Sequence, residues 1–446
     1  MTTSTRDYIT EVTANDQINA ELYSKYSVKR GLRNADGSGV LVGLTRVGEV
    51  HGYIINEGER TAVDGKLFYR GIDVEEIIGA AEKENRFAFE ETAYLLLFGE
   101  LPTQERLEKF TAFLGENRKL PRYFRKDSIM SAPSRDIMNK LARSVLTLYS
   151  YDETPEDHSP ENVLRQCIEL IARFPTIVAY AYFAKRYYFD NQSLVIHRPL
   201  KEASTVENFL ALIRPDQKFT RLEAELLDLL LVLHAEHGGG NNSTFVVHTI
   251  SSADTDTYSA IAAGIGSLKG YKHGGANVKV MGMMEELKQN VKRWDDEVEV
   301  EAYLEKILKG QAFDGAGLIY GQGHAVYTKS DPRAVLLRDK ASALAKEKGL
   351  VDEFNLYRLI ETLMPSVFKR VKESDKDICT NVDFYSGFVY KMLDIPSELY
   401  TPLFAVSRVV GWCAHRLEEI VCGNRIIRPA YKCVHKHKAY STLSER

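Results

Sequence analysis

The segment RLEAELLDLLLVLHAEH, residues 221–237, places apolar residues at helical spacing and charged residues on the opposite face. The same spacing recurs in FAFEETAYLLLFGELPT at 87–103, which stops at Gly99 and the Leu101-Pro102 boundary. VEVEAYLEKILKG at 298–310 and DPRAVLLRDKASALAKEKG at 331–349 read as surface helices with charged outer sides. DTYSAIAAGIGSLKGY at 256–271 is rich in small residues that let helices approach closely, and reads as a buried central helix. From about residue 80 onward the chain is helix nearly throughout. Before that, residues 1 to about 40 read as a polar arm with a helix or two. Residues 41–80 hold short β-like pieces punctuated by Gly58, Gly65 and Gly71. Loops are expected at RPDQKF (214–219) and SYDETPEDHSPEN (150–162). The fold class is mainly α.

With 446 residues the chain can build a large core, in more than one domain or in one domain carrying an insertion. Lys plus Arg is 58 and Asp plus Glu is 62, a net charge of −4 that leaves no electrostatic footprint for nucleic acid or an anionic membrane. An anionic ligand must therefore be met by a local cluster of basic residues. The five cysteines show no CxxC pair, so neither a zinc framework nor a disulfide framework is signalled. A reducing cytoplasm fits them best. The opening MTTSTRDYITEVTANDQ has no apolar core of a secretory signal. No apolar run approaches the roughly 20 residues that span a bilayer.

Histidine stands beside glycine three times. HAEHGGGNNST (234–244) carries His234 and His237, GYKHGGANVKV (270–280) carries His273, and GQGHAVYTKSDPR (321–333) carries His324. Any one of these could be a structural histidine near a helix end. Glycine lets the backbone approach a ligand, which favours a cleft instead. His234 and His237, spaced i, i+3, share a helical face and raise a metal site as a rival. Glu236 between them does not complete the HExxH pattern, and no third ligand is evident. In TNVDFYSGFVY (380–390), Asp383 is either an N-cap or a partly desolvated general base. Arg333, Arg408 and Arg428 are either surface charges or clamps on a small dicarboxylate.

In order along the chain, HGGAN, GHAVYTKSDPR and NVDFYSG resemble the three catalytic segments of the citrate synthase family. EGERTAVDGKLFYRGIDVEEI, FEETAYLLLFGELPT, VGWCAHRLEE and RIIRP agree, so the resemblance runs from about residue 45 to 430. HGGAN continues into Val278-Lys279, where many members carry an acidic residue.

The resemblance implies a two-domain, almost wholly helical fold. A large domain would comprise residues 1–275 and 391–446, with a smaller helical domain, 276–390, inserted. It implies condensation of acetyl-CoA with oxaloacetate and water to citrate and CoA. A 2-methylcitrate synthase using propionyl-CoA, or a non-catalytic CoA-binding relic, are the alternatives. His273 would stabilise the enol of acetyl-CoA, His324 would polarise the oxaloacetate ketone, and Asp383 would remove the methyl proton. His237, Arg333, Arg408 and Arg428 would hold oxaloacetate, Arg428 from the other subunit. Lys369, Arg370 and Lys372 are candidate CoA phosphate contacts on charge alone. No cofactor or metal is implied, acetyl-CoA being a substrate. A cytoplasmic homodimer, or a higher oligomer, is expected.

Overall fold

A computed structural model of the chain describes residues 5–34, 37–56, 59–423 and 425–445. The chain divides into two compact units at Leu44/Thr45. The first carries two short helices, α1 (Thr5–Asn15) and α2 (Glu21–Lys25). Several of its apolar side chains, among them Ile18, Leu41 and Leu44, are exposed. It has the helix or two expected of the arm.

The second unit opens with the β-like segment. Strands β1 (Gly48–Asn56) and β2 (Glu59–Tyr69) pair antiparallel with Gly48 opposite Tyr69, and β3 (Ile72–Asp73) pairs with the end of β2. Asp73 then caps the next helix by accepting from Glu75 N–H at 3.0 Å. From there the unit is helical: α3 (Val74–Lys83), α4 (Phe89–Phe98), α5 (Gln104–Asn117), α6 (Ile137–Leu148), α7 (Pro160–Phe189), α8 (Thr205–Ile213), α9 (Arg221–His234), α10 (Asn242–Ser251) and α11 (Thr257–Leu268). These are followed by α12 (Ala276–Asn290), α13 (Glu297–Leu308), α14 (Pro332–Glu347), α15 (Val351–Lys372), α16 (Val382–Met392) and α17 (Tyr400–Cys422). The mainly α reading holds.

Local chemistry explains the helix boundaries that matter for the site. Thr220 and Glu223 form a capping box that starts α9. A helix end leaves its last carbonyls without intrahelical donors, and here other elements supply them. Tyr69 O–H donates to Val232 O at 2.8 Å, Ser407 O–H to Leu231 O, and Arg408 Nε–H to His234 O at 2.7 Å. The carboxyl end of α9 is thus pinned between β2 and α17, which fixes where residues 234–238 emerge. The small residues of α11 do what the sequence suggested. A Cβ on Gly264 would lie 2.8 Å from Val247 and 3.3 Å from the Trp412 ring, so this helix packs close against α10 and α17. Helices α12 to α16 pack on one another, α13 on α15 and α16 on both α12 and α14.

One expectation needs correction. Helix α7, 30 residues, is long and apolar enough to cross a membrane by length and composition. Its most apolar window is 89% buried inside the protein. Its charged residues pair along the helix, Arg165 and Arg173 both with Glu169. It is a core helix, and those charges break its apolar run, so no uninterrupted apolar run signalled it in the sequence.

Candidate active site

The candidate residues come from five places in the second unit: the turn after α9, the segment before α12, the segment leading into α14, the start of α16, and α17. Gly238, in the left-handed region at φ 81°, turns the chain after α9. It leaves His237 with its ring 5.1 Å from that of His324 and 5.7 Å from Tyr327. His324 stacks on Tyr327 at 4.7 Å. The guanidinium of Arg333 lies 5.8 Å from the same tyrosine ring.

Hydrogen bonds settle two tautomers. His324 Nδ1 accepts from the backbone N–H groups of Val326 and Tyr327, both at 3.1 Å. A backbone N–H can only donate, so in the neutral ring the proton sits on Nε2. His273 Nε2 accepts from Ser243 N–H at 3.3 Å and lies 3.0 Å from Ser243 Oγ. Its proton therefore sits on Nδ1. Trp412 Nε1–H in turn donates to Ser243 Oγ at 3.1 Å. Each imidazole is locked as a hydrogen-bond donor of known direction.

Asp383 is placed by two loops joined edge to edge. Gly323 N–H donates to Cys379 O at 2.7 Å and Asn381 N–H to Gly321 O at 2.9 Å. Asn381 also donates through Nδ2 to Gly323 O at 2.9 Å, while its Oδ1 caps α16 by accepting from Asp383 N–H at 3.0 Å. The N-cap is therefore Asn381, and Asp383 is left in the first turn of α16. Among the described residues its carboxylate accepts no hydrogen bond. Burial, reinforced by Asp331, pushes Asp383 up to about 6 against the opposing pull of Arg333.

The two buried arginines are treated differently. Arg333 is gripped by Asp331, with Nε at 3.0 Å and Nη2 at 2.7 Å. Asp331 also accepts from Val382 N–H at 3.2 Å, so one buried carboxylate ties the start of α14 to the start of α16. Arg408 is fully buried and donates only through Nε. Among the described residues its Nη1 and Nη2 have no hydrogen-bond partner, the Phe404 ring lies 4.8 Å from the guanidinium, and burial lowers it to about 10. The histidines nearby are kept neutral. Burial, then Arg408, lowers His273 to about 4. Burial, then Arg333 and Arg408, lowers His234 to about 3 and puts His237 well below the ordinary histidine range.

The structure thus brings His237, His273, His324, Asp383, Arg333 and Arg408 together. It does not bring Arg428. That residue is exposed in the segment after α17, and no hydrogen bond or ion pair among the described residues links it to the cluster. Lys369, Arg370 and Lys372 are engaged elsewhere, with Asp377, with Glu301 and Glu305, and with Leu308 O. Sequence reasoning missed Asp331, Ser243, Tyr327 and Asn381. The signal for Asp331 was its place two residues before Arg333, ahead of a proline that starts a helix.

Residues 37–430 match the family described as citrate synthase, C-terminal domain. The chain belongs to the citrate synthase family. It is 35% identical over 412 residues to a citrate synthase of Synechocystis, covering 92% of this chain and 93% of the relative. A 2-methylcitrate synthase of Shewanella oneidensis is 31% identical over 364 residues, covering 82% of this chain and 87% of that one. Among solved structures, the citrate synthase of Thermoplasma acidophilum in ternary complex with carboxymethyl coenzyme A and oxaloacetate superposes with a TM-score of 0.75. It is 27% identical, with 94% of this chain and 99% of that chain covered.

Proposed function

We propose that this enzyme condenses acetyl-CoA with oxaloacetate and water to give citrate and CoA. The observation that carries the reading is Arg408: a fully buried guanidinium whose two terminal nitrogens lack hydrogen-bond partners among the described residues. A buried, unpaired cation is costly unless a ligand anion completes it. A carboxylate binds two such nitrogens in parallel. Arg333, beside it, supplies a second cation already oriented by Asp331. Together with His237 they suit a small dicarboxylate held at a fixed angle.

The chemistry follows from the locked tautomers. The methyl of a thioester is a weak carbon acid, so its proton must leave to a base while the enol oxygen is stabilised. Asp383, raised to about 6, is ionised at neutral pH yet more basic than an ordinary aspartate. His273 donates from Nδ1 to the enol oxygen and, being neutral, does not draw the proton from the base. The enol carbon then attacks the ketone carbon of oxaloacetate, and His324 donates from Nε2 to the oxygen on which charge develops. Hydrolysis of the resulting thioester releases CoA and makes the reaction effectively one-way.

The remaining parts of the proposal follow the family resemblance. Residues 276–390 form the smaller inserted domain, the reaction uses no cofactor or metal ion, and the enzyme works as a cytoplasmic homodimer. Five cysteines without a disulfide are consistent with a reducing compartment. The exposure of Arg428 is consistent with a role at the site of a second subunit.

Thiol release from acetyl-CoA or propionyl-CoA in the presence of oxaloacetate tests the reading. Turnover with acetyl-CoA that Asp383→Asn abolishes supports it. A preference for propionyl-CoA moves the assignment to 2-methylcitrate synthase, since one methylene in an acyl pocket is worth only about 1–3 kcal/mol. No thiol release with either, from folded protein, leaves a CoA-binding relic. One further arm mixes Asp383→Asn with Arg428→Ala subunits. Restored activity in the mixture places Arg428 in the partner's site, and none keeps it out.

A further inference from the structure

Beside the cleft, four side chains form a continuous chain of contacts that the reaction as derived does not use. His415 Nε2 lies 3.0 Å from Glu236 Oε1. His415 Nδ1 lies 3.0 Å from His248 Nε2. His248 Nδ1 lies 3.0 Å from Glu419 Oε2. Three contacts of this length need three protons. Two neutral imidazoles bring only two, so the third sits either on a ring, as an imidazolium, or on a terminal carboxyl group, and the surroundings of His415 favour the ring. His415 is the ring set between carboxylates, with Glu236 at one nitrogen and Glu418 Oε2 3.8 Å from the other. Burial works against its charge, but Glu236 and Glu418 outweigh burial and push His415 up to about 9. His248, lowered by burial and then by His415, stays neutral and donates its Nδ1–H to Glu419.

Glu236 is where this chain meets the substrate site. Its Oε1 takes the bond from His415 and another from Gly238 N–H. Its Oε2 is buried with no hydrogen-bond partner. Glycines make room for it. A Cβ on Gly411 would lie 2.4 Å from Glu236 Oε2, and one on Gly48 2.7 Å from its Cγ. Arg408 stands one residue short of a helical turn before Gly411 on α17, and Glu236 is the strongest charge acting on it. A carboxylate near a guanidinium with two unpaired nitrogens would ordinarily close on it as a bidentate pair. Here it does not.

We infer that His415 is a positioning residue: its imidazolium holds the Glu236 carboxylate off Arg408 and so keeps that guanidinium available to a carboxylate of the keto acid. The inference rests on the reading of Arg408 as a carboxylate-binding residue. The groups that face His415 are Glu236, Glu418, His248 and the Thr45 hydroxyl at 3.5 Å, with Glu419 behind His248. Arg70 and Arg46 stand beyond, near Glu418. Glu236 and Glu418 are held below the carboxylate range and His248 below the histidine range. His415 is therefore the member of the set that changes charge on the alkaline side of neutrality.

Oxaloacetate binding by calorimetry and steady-state kinetics test this with wild type, His415→Gln and the double variant Glu236→Gln/His415→Gln. The neutral amide keeps a donor toward Glu236 but removes the charge. His415→Gln should weaken oxaloacetate binding and raise its KM about tenfold, with kcat held within about twofold. Neutralising Glu236 as well should restore KM to within about twofold of wild type, which a purely structural defect would not permit. Wild-type affinity should weaken as pH rises through about 9, with His415→Gln flat across the same range. A folded His415→Gln that binds like wild type, or a loss the double variant does not repair, overturns the inference. If His415→Gln does not fold, the wild-type pH series decides, and an affinity unchanged through that range overturns it. A wild type that does not bind oxaloacetate at all overturns the reading of Arg408, a result distinct from a variant that matches a binding wild type.

Discussion

Two sets of buried histidines lie next to each other in this enzyme, and one ring of the second, His415, is held in the opposite charge state. His234 and His237 face Arg333 and Arg408, His273 faces Arg408, and burial together with those cations keeps them neutral. His415 is as deeply buried, but it faces Glu236 and Glu418 and keeps its proton. Burial alone would neutralise all of them. The sign of the nearest charge decides the outcome. Consecutive residues of one turn serve both sets, since Glu236 meets His415 while His237 meets His324. Neutral rings can donate a hydrogen bond to developing charge without competing for the substrate proton. A charged ring can hold a carboxylate in place.

The strongest way to break this contrast is to remove a neutral donor. His324→Ala or His273→Ala should lower kcat by about 10²–10³-fold, the usual loss when one preorganised donor to developing negative charge is deleted. Single-turnover measurement would separate that loss from a change in binding. A fall in kcat of the same size in His415→Gln would erase the distinction between the two sets.

The acid side of the pH profile sharpens the contrast. Asp383 must be ionised to accept a proton, and burial raises it to about 6. The kcat/KM of wild type should therefore rise about tenfold per pH unit below that value and level off above it. His273, at about 4, stays neutral across this range and should add no inflection near 6.5. An inflection close to 4 instead would mean that Asp383 is not desolvated as its surroundings imply.

Much of the first set was legible in the sequence, and almost none of the second. His237, His273 and His324 each sit beside glycine in a short segment, and Asp383 sits among aromatics, so local pattern pointed at all four. The helical spacing that gave the fold class is likewise a local signal. Glu236 and His415 are 179 positions apart, and His248 and His415 are 167 apart. Nothing in a linear pattern pairs them. Glu236 drew notice only as a failed zincin residue, and His415 only as a letter within VGWCAHRLEE. Arg408 and Arg428 looked alike as arginines, yet one is fully buried and the other exposed. That difference depends on which helix packs where. A reader of the chain can see which residues could do chemistry, but charge states and partners arise only when α10, α17 and the turn after α9 are packed together.

The smallest effect expected is thermodynamic, and its sign separates the two sets. The proton on His415 is bound more tightly in the folded protein, at about 9, than in an unfolded chain near the ordinary value of 6.5. Its contribution to stability is therefore full below about 6.5 and is lost as pH rises through about 9. The whole step is worth about 3 kcal/mol at most, from the free energy per unit of pKa. Asp228, raised to about 8, and Lys140, lowered to about 8, also titrate in this window and would blur a wild-type curve taken alone. Both are present in His415→Gln, so the difference between the two proteins isolates His415. Denaturant midpoints measured from pH 6 to 10 should converge as pH rises, because wild type loses a stabilising charge that the variant never had. The cleft histidines work the other way. Their folded values lie below 6.5, so they penalise the folded state as pH falls through about 6.5, at the acid edge of this window, and they cancel in the difference because both proteins carry them. Midpoints that stay parallel would place the third proton of the chain on a carboxylate rather than on His415, and the contrast in charge between the two sets would fall with it.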